Sequence, residues 1–314
     1  MIVISAIKNL ISTIITDITV ALSSLTRGRI MIVVTGATGK LGRLVVQHLL
    51  ERVPAERIAV SVRDPGKAAA FLQQGVRVRH GDFAQPDSLA SAFEDATQVL
   101  VVSSNASAYG GDSKAQHRDA IAAAKTAGVR RILYTSHMAV SATSAFLPMH
   151  VHAATETMLQ ESGLAWTALR NGFYAESARQ MTADAARTGE VVAPEDGKFS
   201  WTAHEDLAAA AATILAEEGR FDGPTPPLTA PAALDFTDIA NILSEISGQT
   251  IARRTVADDE FERLLASRSL PPAVIAITLS MYRAARAGEF ARTDPTLGKL
   301  LGREPISARQ TLAS

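Results

Sequence analysis

The sequence predicts an α/β protein: a Rossmann-type, doubly wound parallel sheet with helices on both faces, followed by a smaller, mostly helical C-terminal substrate lobe. Three observations predict this fold. After residue 30, short β-branched runs alternate with Ala- and Leu-rich helical stretches. The predicted strands are apolar throughout, which is typical of strands buried on both faces. A glycine-rich turn joins the first strand to the first helix, as in dinucleotide-binding folds.

Six strands and five helices are predicted before residue 170. The strands are at 30–35, 57–62, 76–80, 98–103, 130–135 and 165–169. The helices are at 39–51, 65–74, 86–94, 112–127 and 149–162. We expect this part, residues 30–170, to be the NAD(P)-binding domain.

Beyond Leu169 the alternation weakens. A Pro- and Gly-rich segment at 219–231 should end any helix or strand, and helices are predicted at 235–247, 257–267 and 272–287, with a β-like run at 250–256. We therefore expect residues 171–314 to hold the remaining Rossmann elements and a small substrate-binding lobe. The lobe should lean over the carboxyl edge of the sheet, where open α/β sheets bind ligands.

Residues 1–29 have apolar positions spaced by three or four, which suits an amphipathic helix. Polar residues, including Lys8 and Asp17, interrupt the stretch, so it falls short of the ~20 apolar residues needed to span a bilayer. It also lacks the basic start of a secretory signal, while a transit peptide stays open. We expect an N-terminal extension of unknown role on a cytoplasmic protein.

Charge and cysteine content narrow the chemistry. With 31 Lys+Arg against 32 Asp+Glu the net charge is −1, so no general field attracts nucleic acid. The absence of Cys excludes disulfides, thiolate metal sites and a Cys nucleophile. His137, His150 and His152 fit no familiar zinc spacing, so no metal is expected. Chemistry must come from His, carboxylates, hydroxyls or a cofactor.

The glycine-rich turn predicts a pyrophosphate site. Gly36 permits the tight turn, Gly39 lets the backbone approach a ligand, and Gly42 allows the helix to pack on the strand. Exposed N–H groups at the positive helix end would then hold the phosphates. The alternative is a structural turn without ligand. The candidate cofactor residues of this turn are Gly36, Thr38, Gly39, Lys40, Leu41 and Gly42.

Arg63 ends the second strand, 21 residues after Gly42, where dinucleotide folds present the group that reads the adenosine ribose. An Arg there can bind a 2′-phosphate with two hydrogen bonds, and Lys67 lies one turn further on. The pair favours NADPH. Asp64 leaves NADH open, and a plain surface Arg is the alternative.

Several segments in order resemble the NmrA-like branch of atypical short-chain dehydrogenase/reductases and, within it, the quinone oxidoreductase type 2 and triphenylmethane reductase groups. They are VVTGATGKLG, VRVRHGDF, AAKTAGVRRILYTS, HAATETML and LRNGFYAES. The likeness covers residues 31–310. It implies a Rossmann domain, NADPH as cofactor, and a quinone or similar electron-poor aromatic acceptor.

The resemblance also implies residue roles. Asp82 and Phe83 would lie by the adenine, and Ser103, Ser104 and Asn105 along the cofactor. The stretch 134–136 would lie beside the nicotinamide. Near the nicotinamide and substrate it implies Asn171, Gly172, Phe173 and Tyr174.

Ordinary short-chain dehydrogenases use a Tyr, lowered in pKa by a Lys four residues on, to protonate an alkoxide. Here His152 and Glu156 stand at those positions, so the usual donor is absent. A reduced ketone needs such an acid, whereas a reduced quinone is a phenolate-type anion with a conjugate acid near the Tyr value of ~10. A triarylmethane cation needs no proton. The missing pair thus favours electron-poor acceptors.

Four residues are candidates for the chemistry itself. His152 is either a general acid or a structural hydrogen bonder, and Ser136 either binds the substrate oxygen or is a satisfied strand-end hydroxyl. Phe173 and Tyr174 are either aromatic walls for a flat substrate or core residues.

We expect an NADPH-dependent reductase of small quinone-like or aromatic molecules, with no nucleic-acid partner and no membrane span, and compatible with a homodimer. Two alternatives remain open. One is a redox-sensing NmrA-like regulator without catalysis, and the other is a pathway-specific reductase of secondary metabolism.

Overall fold

A computed structural model describes residues 31–314, so the predicted extension at 1–29 lies outside the described residues. Seven parallel strands form the main sheet in the order β3-β2-β1-β4-β5-β6-β10. The chain order reverses between β1 and β4, which opens a crevice at the carboxyl ends of these strands. The strands are β1 Ile32–Thr35, β2 Ile58–Val62, β3 Arg77–His80, β4 Gln98–Val101, β5 Arg131–His137, β6 Ala165–Asn171 and β10 Gly223–Pro224. The predicted doubly wound fold is confirmed.

Two parallel pairs of short strands lie outside the main sheet. They are β7 Phe173–Tyr174 with β9 Trp201–Thr202, and β8 Glu190–Pro194 with β11 Ala252–Val256. The helices of residues 31–314 are α1 Lys40–Leu50, α2 Ala69–Gln73, α3 Asp87–Ala92, α4 Ser113–Thr126, α5 Pro148–Glu161, α6 Ala175–Met181, α7 Ala185–Thr188, α8 His204–Ala216, α9 Phe236–Ser247, α10 Asp258–Ser267, α11 Pro272–Arg286, α12 Thr296–Leu301 and α13 Ala308–Ala313. In this part of the chain, no helix has the length and apolar character that a bilayer crossing requires.

The first strand shows why helices must pack on both faces of the sheet. Ile32 and Val34 face a hydrophobic cluster that α1, α8 and α12 complete, whereas Val33 faces a second cluster with α3, α4 and α5. Successive strand residues point to opposite faces, so an all-apolar strand needs helices on both.

A third cluster belongs to the C-terminal half. It joins residues of α9, α10 and α11 to β8 and to Phe146, which precedes α5. The α10 and α11 bounds differ from the predicted helices by one residue at an end. The third cluster adjoins the carboxyl end of β5, because His137 at that end packs against Phe146, Phe173 and Phe290.

One segment differs from its prediction. The segment 219–231 ends α8, as expected, but it also contains β10, which pairs with β6 at the edge of the main sheet. Thr225 N–H then donates to the Ala168 carbonyl at 2.9 Å. Two paired residues leave no periodic pattern, and strand edges tolerate Pro, so the composition of the segment concealed a strand.

Candidate active site

The turn between β1 and α1 is built by two glycines whose backbones touch. Gly36 has φ of +61°, a left-handed conformation that favours glycine. A Cβ at Gly42 would lie 2.4 Å from the Gly36 carbonyl oxygen. The sequence predicted that Gly42 lets α1 pack on the strand. In the structure it lets α1 pack on the turn itself. Gly39 precedes α1 as its N-cap, with its N–H donating to the Gly36 oxygen at 2.9 Å.

A groove of about 710 Å³ lies at the crevice between β1 and β4. It brings together nine of the thirteen predicted cofactor residues: Gly36, Thr38, Gly39, Arg63, Asp82, Phe83, Ser103, Ser104 and Asn105. The other four do not line it. Lys40 and Lys67 are exposed outside it, Leu41 is on the buried side of α1, and Gly42 forms the packing contact. Among the lining residues that were not predicted from the sequence are the exposed Tyr109 and Gln116 of α4.

Arg63 and Asp64 have different tasks at the end of β2. The Asp64 carboxylate accepts the Gly66 N–H at 3.0 Å and so closes its own turn. The Arg63 side chain is exposed at the groove and has no hydrogen-bond or ion-pair partner within residues 31–314. Asp64, which left the choice between NADH and NADPH open in the sequence, thus bonds its own turn. The Arg63 guanidinium is the charged group at the groove.

The far end of the groove is held by buried polar contacts. Ser103 N–H donates to Thr135 Oγ1 at 2.8 Å. Ser104 N–H donates to Nε2 of His117, whose Nδ1 is 2.9 Å from Thr155 Oγ1. Thr155 uses its own hydrogen on the Val151 carbonyl, so His117 Nδ1 carries the proton. Burial lowers the pKa of His117 to about 4, which keeps this bridge neutral. Nothing local in the sequence marked His117.

His152, predicted from the sequence to stand at the Tyr position of short-chain dehydrogenases, contacts a Tyr from another element. The hydroxyl of Tyr134, on β5, is 2.7 Å from His152 Nδ1. Tyr134 is almost wholly buried, and burial raises the pKa of its phenol. Desolvation, followed by the nearby His137 and His117, lowers the pKa of His152 well below the usual value. A partly buried, neutral imidazole therefore occupies this position.

Ser136 corresponds to the second of its two predicted alternatives, a satisfied strand-end hydroxyl. Its hydroxyl is buried and donates to Glu156 Oε1 at 2.6 Å, so its proton is not available to a substrate oxygen. Glu156 also receives two hydrogen bonds from Arg170, at 3.2 and 2.7 Å. Such a two-point ion pair is a strong, oriented contact. Glu156 thus braces α5 against β6 instead of assisting His152.

The predicted substrate residues do not form one wall. Phe173 is 9% exposed and packs among Phe199, Trp201 and Phe290. Tyr174 points to the other face of β7 and lies with its ring centroid 4.2 Å from that of His204. Consecutive strand residues face opposite sides, so the two rings cannot share a surface. Asn171 is buried, and its Oδ1 has no partner among the described residues.

Three histidines near the end of β5 also differ in their surroundings. His150 gives its Nε2 to the Ser144 carbonyl at 2.9 Å. The His137 and His152 ring centroids are 6.3 Å apart. From the sequence, His137 was considered only as a possible metal ligand, and no metal was expected. The residue lies at the carboxyl end of a strand, where α/β folds carry functional residues.

The groove suits a dinucleotide. No side chain caps the start of α1, so the first N–H groups of the helix are free for phosphate oxygens. The Gly36–Gly42 contact keeps the turn close to the helix end. A negatively charged bridge would therefore meet main-chain donors, and its adenosine end would meet Arg63.

The chain is similar to proteins of one family along most of its length. The NmrA-like family matches residues 29–304. Quinone oxidoreductase 2 of Escherichia coli is 34% identical over 284 residues, covering 90% of this chain and 98% of that protein. An NAD(P)H azoreductase of Xenophilus azovorans is 28% identical, covering 87% of this chain and 93% of that protein.

Two experimental structures extend the likeness to three dimensions. The NADPH-dependent quinone oxidoreductase of Escherichia coli, complexed with NADPH, superposes with a TM-score of 0.84 at 33% identity, covering 90% of this chain and 99% of that one. A triphenylmethane reductase of Citrobacter superposes with a TM-score of 0.82 at 36% identity, covering 90% and 98%.

Proposed function

This chain belongs to the NmrA-like family, and on that basis we propose that it is an NAD(P)H-dependent oxidoreductase that reduces quinones or similar electron-poor aromatic molecules. One observation carries the proposal. The groove at the glycine turn has main-chain donors for a diphosphate, in a chain 34% identical to a quinone oxidoreductase along almost the whole of both sequences.

Four sets of groups in this chain would hold the dinucleotide. The N–H groups at the start of α1 would bind the diphosphate, and Arg63 would bind a 2′-phosphate, which favours NADPH over NADH. Asp82 and Phe83 border the adenosine end. Ser103, Ser104 and Asn105 border the other half, where β5 also ends. When bound, the reduced nicotinamide supplies a hydride.

The neighbourhood of His152 supports an acceptor that is a weak base after reduction. A reduced ketone would need a strong, positioned acid. At the short-chain dehydrogenase positions this chain has a neutral His and a Glu that is paired with Arg170. A quinone becomes a delocalised phenolate, which water can protonate. We infer that positioning, rather than acid catalysis by the Tyr/Lys pair, carries this reaction.

The test is NADPH oxidation followed at the nicotinamide absorbance with benzoquinone, with a triarylmethane dye and with an azo dye as separate acceptors. We expect turnover with at least the quinone. Tight NADPH binding without turnover on any of the three would contradict the proposal and support a redox-sensing regulator.

We further propose that the protein works in the cytoplasm on small molecules and not on nucleic acid. Light scattering on the purified chain would test whether it forms a homodimer. A mobility-shift assay with duplex DNA, expected to show no complex, would test the absence of nucleic-acid binding.

A further inference from the structure

Two imidazoles stand at the carboxyl end of β5 without an assigned task. His137 ends the strand, and His152 lies on the first half of α5. Their ring centroids are 6.3 Å apart and their planes differ by 31°. Around His137 the surface is aromatic, with the rings of Phe146, Phe173 and Phe290 at 5.6 to 6.3 Å. The two imidazoles are thus polar rings beside an apolar, aromatic cluster.

The hydrogen bonds decide which nitrogen of each ring carries the proton. His137 Nδ1 accepts the N–H of Ala139 at 3.1 Å. A neutral His137 therefore carries its proton on Nε2. Burial lowers the pKa of His137 to about 3, so the ring is neutral at physiological pH.

The hydrogen bond to Tyr134 indicates which ring nitrogen of His152 carries the proton. The buried Tyr134 hydroxyl is 2.7 Å from His152 Nδ1 and also has Thr155 as a hydrogen-bonding neighbour. Thr155 Oγ1 already receives a hydrogen bond from His117 Nδ1 and donates to the Val151 carbonyl. We therefore assign the phenol hydrogen to the bond with His152 Nδ1. His152 then also carries its proton on Nε2.

Neither Nε2–H group has an acceptor within residues 31–314. His150, two residues before His152 on the same helix, shows the contrast, because its Nε2 is bound to a backbone carbonyl. The strand that ends at His137 also reaches the groove. With Arg63 marking the adenosine end over β2, the nicotinamide end falls toward β4 and β5. Thr135, two residues before His137, is tied directly to the groove residue Ser103.

We propose that the Nε2–H groups of His137 and His152 form a two-donor site for a carbonyl oxygen of the acceptor, and that Tyr134 is a positioning residue that fixes the His152 tautomer. The inference rests on the proposed function and adds the part of the substrate that is recognised. It requires an acceptor with a carbonyl oxygen, such as a quinone.

The donors act on the charge that reduction creates. The quinone accepts a hydride, two electrons and one proton, from NADPH, which becomes NADP⁺. The product is the hydroquinone monoanion, whose negative charge lies on the second oxygen and the ring. Two N–H donors in an apolar site stabilise that oxygen more than they stabilise the neutral quinone. One proton from water completes the hydroquinone. Neutral imidazoles can serve in this way without transferring a proton themselves.

The kinetic test replaces each ring with one that cannot donate. His152→Phe and His137→Phe should each lower kcat/KM for benzoquinone by roughly 10- to 100-fold. His152→Gln, which restores an N–H donor, should recover most of that loss. A triarylmethane cation becomes neutral when it accepts hydride and forms no oxyanion. Its reduction should therefore suffer much less, and the ratio of quinone to dye activity should fall.

His150→Phe is the matched control. It removes the same kind of ring from the same helix, but that ring has no free donor, so the ratio of quinone to dye activity should stay at the wild-type value. Thermal melting of each variant separates folding defects from the loss of a donor.

A second readout does not depend on turnover. Nitrogen-15 NMR of histidine-labelled protein should show His137 and His152 protonated at Nε2 and unprotonated at Nδ1, with no titration between pH 5 and 8. Tyr134→Phe should release His152 into a mixture of tautomers and leave His137 unchanged.

Two results would overturn the inference: finding His152 protonated at Nδ1, or equal losses on quinone and dye in His152→Phe. If the wild-type protein oxidised no NADPH with any acceptor, the proposed function would fail. The NMR result would still decide whether the two donors exist.

Discussion

Replacing Gly42 by Ala perturbs the turn at the point where it has no room. The added Cβ would lie 2.4 Å from the Gly36 carbonyl oxygen, 2.8 Å from its carbonyl carbon and 3.0 Å from the Ala37 Cα. All three neighbours are backbone atoms, so no flexible side chain can yield. Ordinary contact begins at 3.4 Å, so α1 and the turn must separate by about 1 Å, the difference between 3.4 and 2.4 Å.

That movement has two measurable costs. Overpacking of this kind typically lowers the free energy of unfolding by about 1–3 kcal/mol. The displaced N–H groups also lose contacts with the diphosphate, and hydrogen bonds to charged groups contribute about 1.5–3 kcal/mol each. The loss of one such contact weakens binding by roughly 10- to 150-fold. NADH and NADPH share the diphosphate, so both should be affected equally.

Isothermal titration calorimetry with each coenzyme and thermal melting are the measurements. Gly298→Ala is the matched control, because a Cβ there meets nothing nearer than 3.5 Å and lies on α12, away from the turn. Wild-type affinity for both coenzymes in Gly42→Ala, with an unchanged melting temperature, would refute the reasoning about this contact.

Three further predictions concern single side chains. Arg63→Ala should weaken NADPH binding roughly tenfold or more while leaving NADH unaffected, and Asp64→Asn should not change the preference; equal losses for both coenzymes in fluorescence titrations would contradict this. His117 has a folded pKa of about 4, below the ~6.5 of an unfolded His. The unfolded chain therefore takes up the proton first, so His117 should contribute a fall in the free energy of unfolding of about 1.4 kcal/mol per pH unit from pH 6.5 toward 4; His117→Gln should remove that contribution in urea titrations. Ser136→Ala removes a bond to Glu156 and should lower the free energy of unfolding by about 1–2 kcal/mol with turnover retained; lost turnover at unchanged stability would restore Ser136 to catalysis.

Most strands of the main sheet could be predicted because each is recognisable from its own short stretch of sequence. Ile58–Val62 is apolar except for Ser61, and Arg131–His137 has an apolar, aromatic and β-branched centre at 132–135, as burial on both faces requires. Phe173–Tyr174, Trp201–Thr202 and Gly223–Pro224 were not predicted. Each has only two residues, and each exists because a distant segment offers a pairing partner. No window of sequence contains that information.

The same distinction applies to the candidate site. The turn at Gly36 was predictable because glycine is the residue type that adopts a positive φ without steric cost. The partners of Glu156 were not, since Arg170 lies on another strand and only the register of β5 with β6 brings Ser136 and Arg170 side by side. Tyr134 lies eighteen residues before His152, and neither residue alone signals the hydrogen bond between them.

The replacement of the Tyr/Lys pair changes what the neighbouring groups can do. In place of Lys, Glu156 would place a negative charge below the reacting atoms if it were free, and a negative charge opposes formation of an oxyanion. Arg170 removes that penalty by neutralising the carboxylate, with the Ser136 hydroxyl on the same oxygen. Breaking the pair should therefore slow quinone reduction by exposing a carboxylate, not by removing an acid. Arg170→Met, measured against the double variant Arg170→Met with Glu156→Gln, separates the two. Recovery of kcat in the double variant supports the electrostatic account, and no recovery contradicts it.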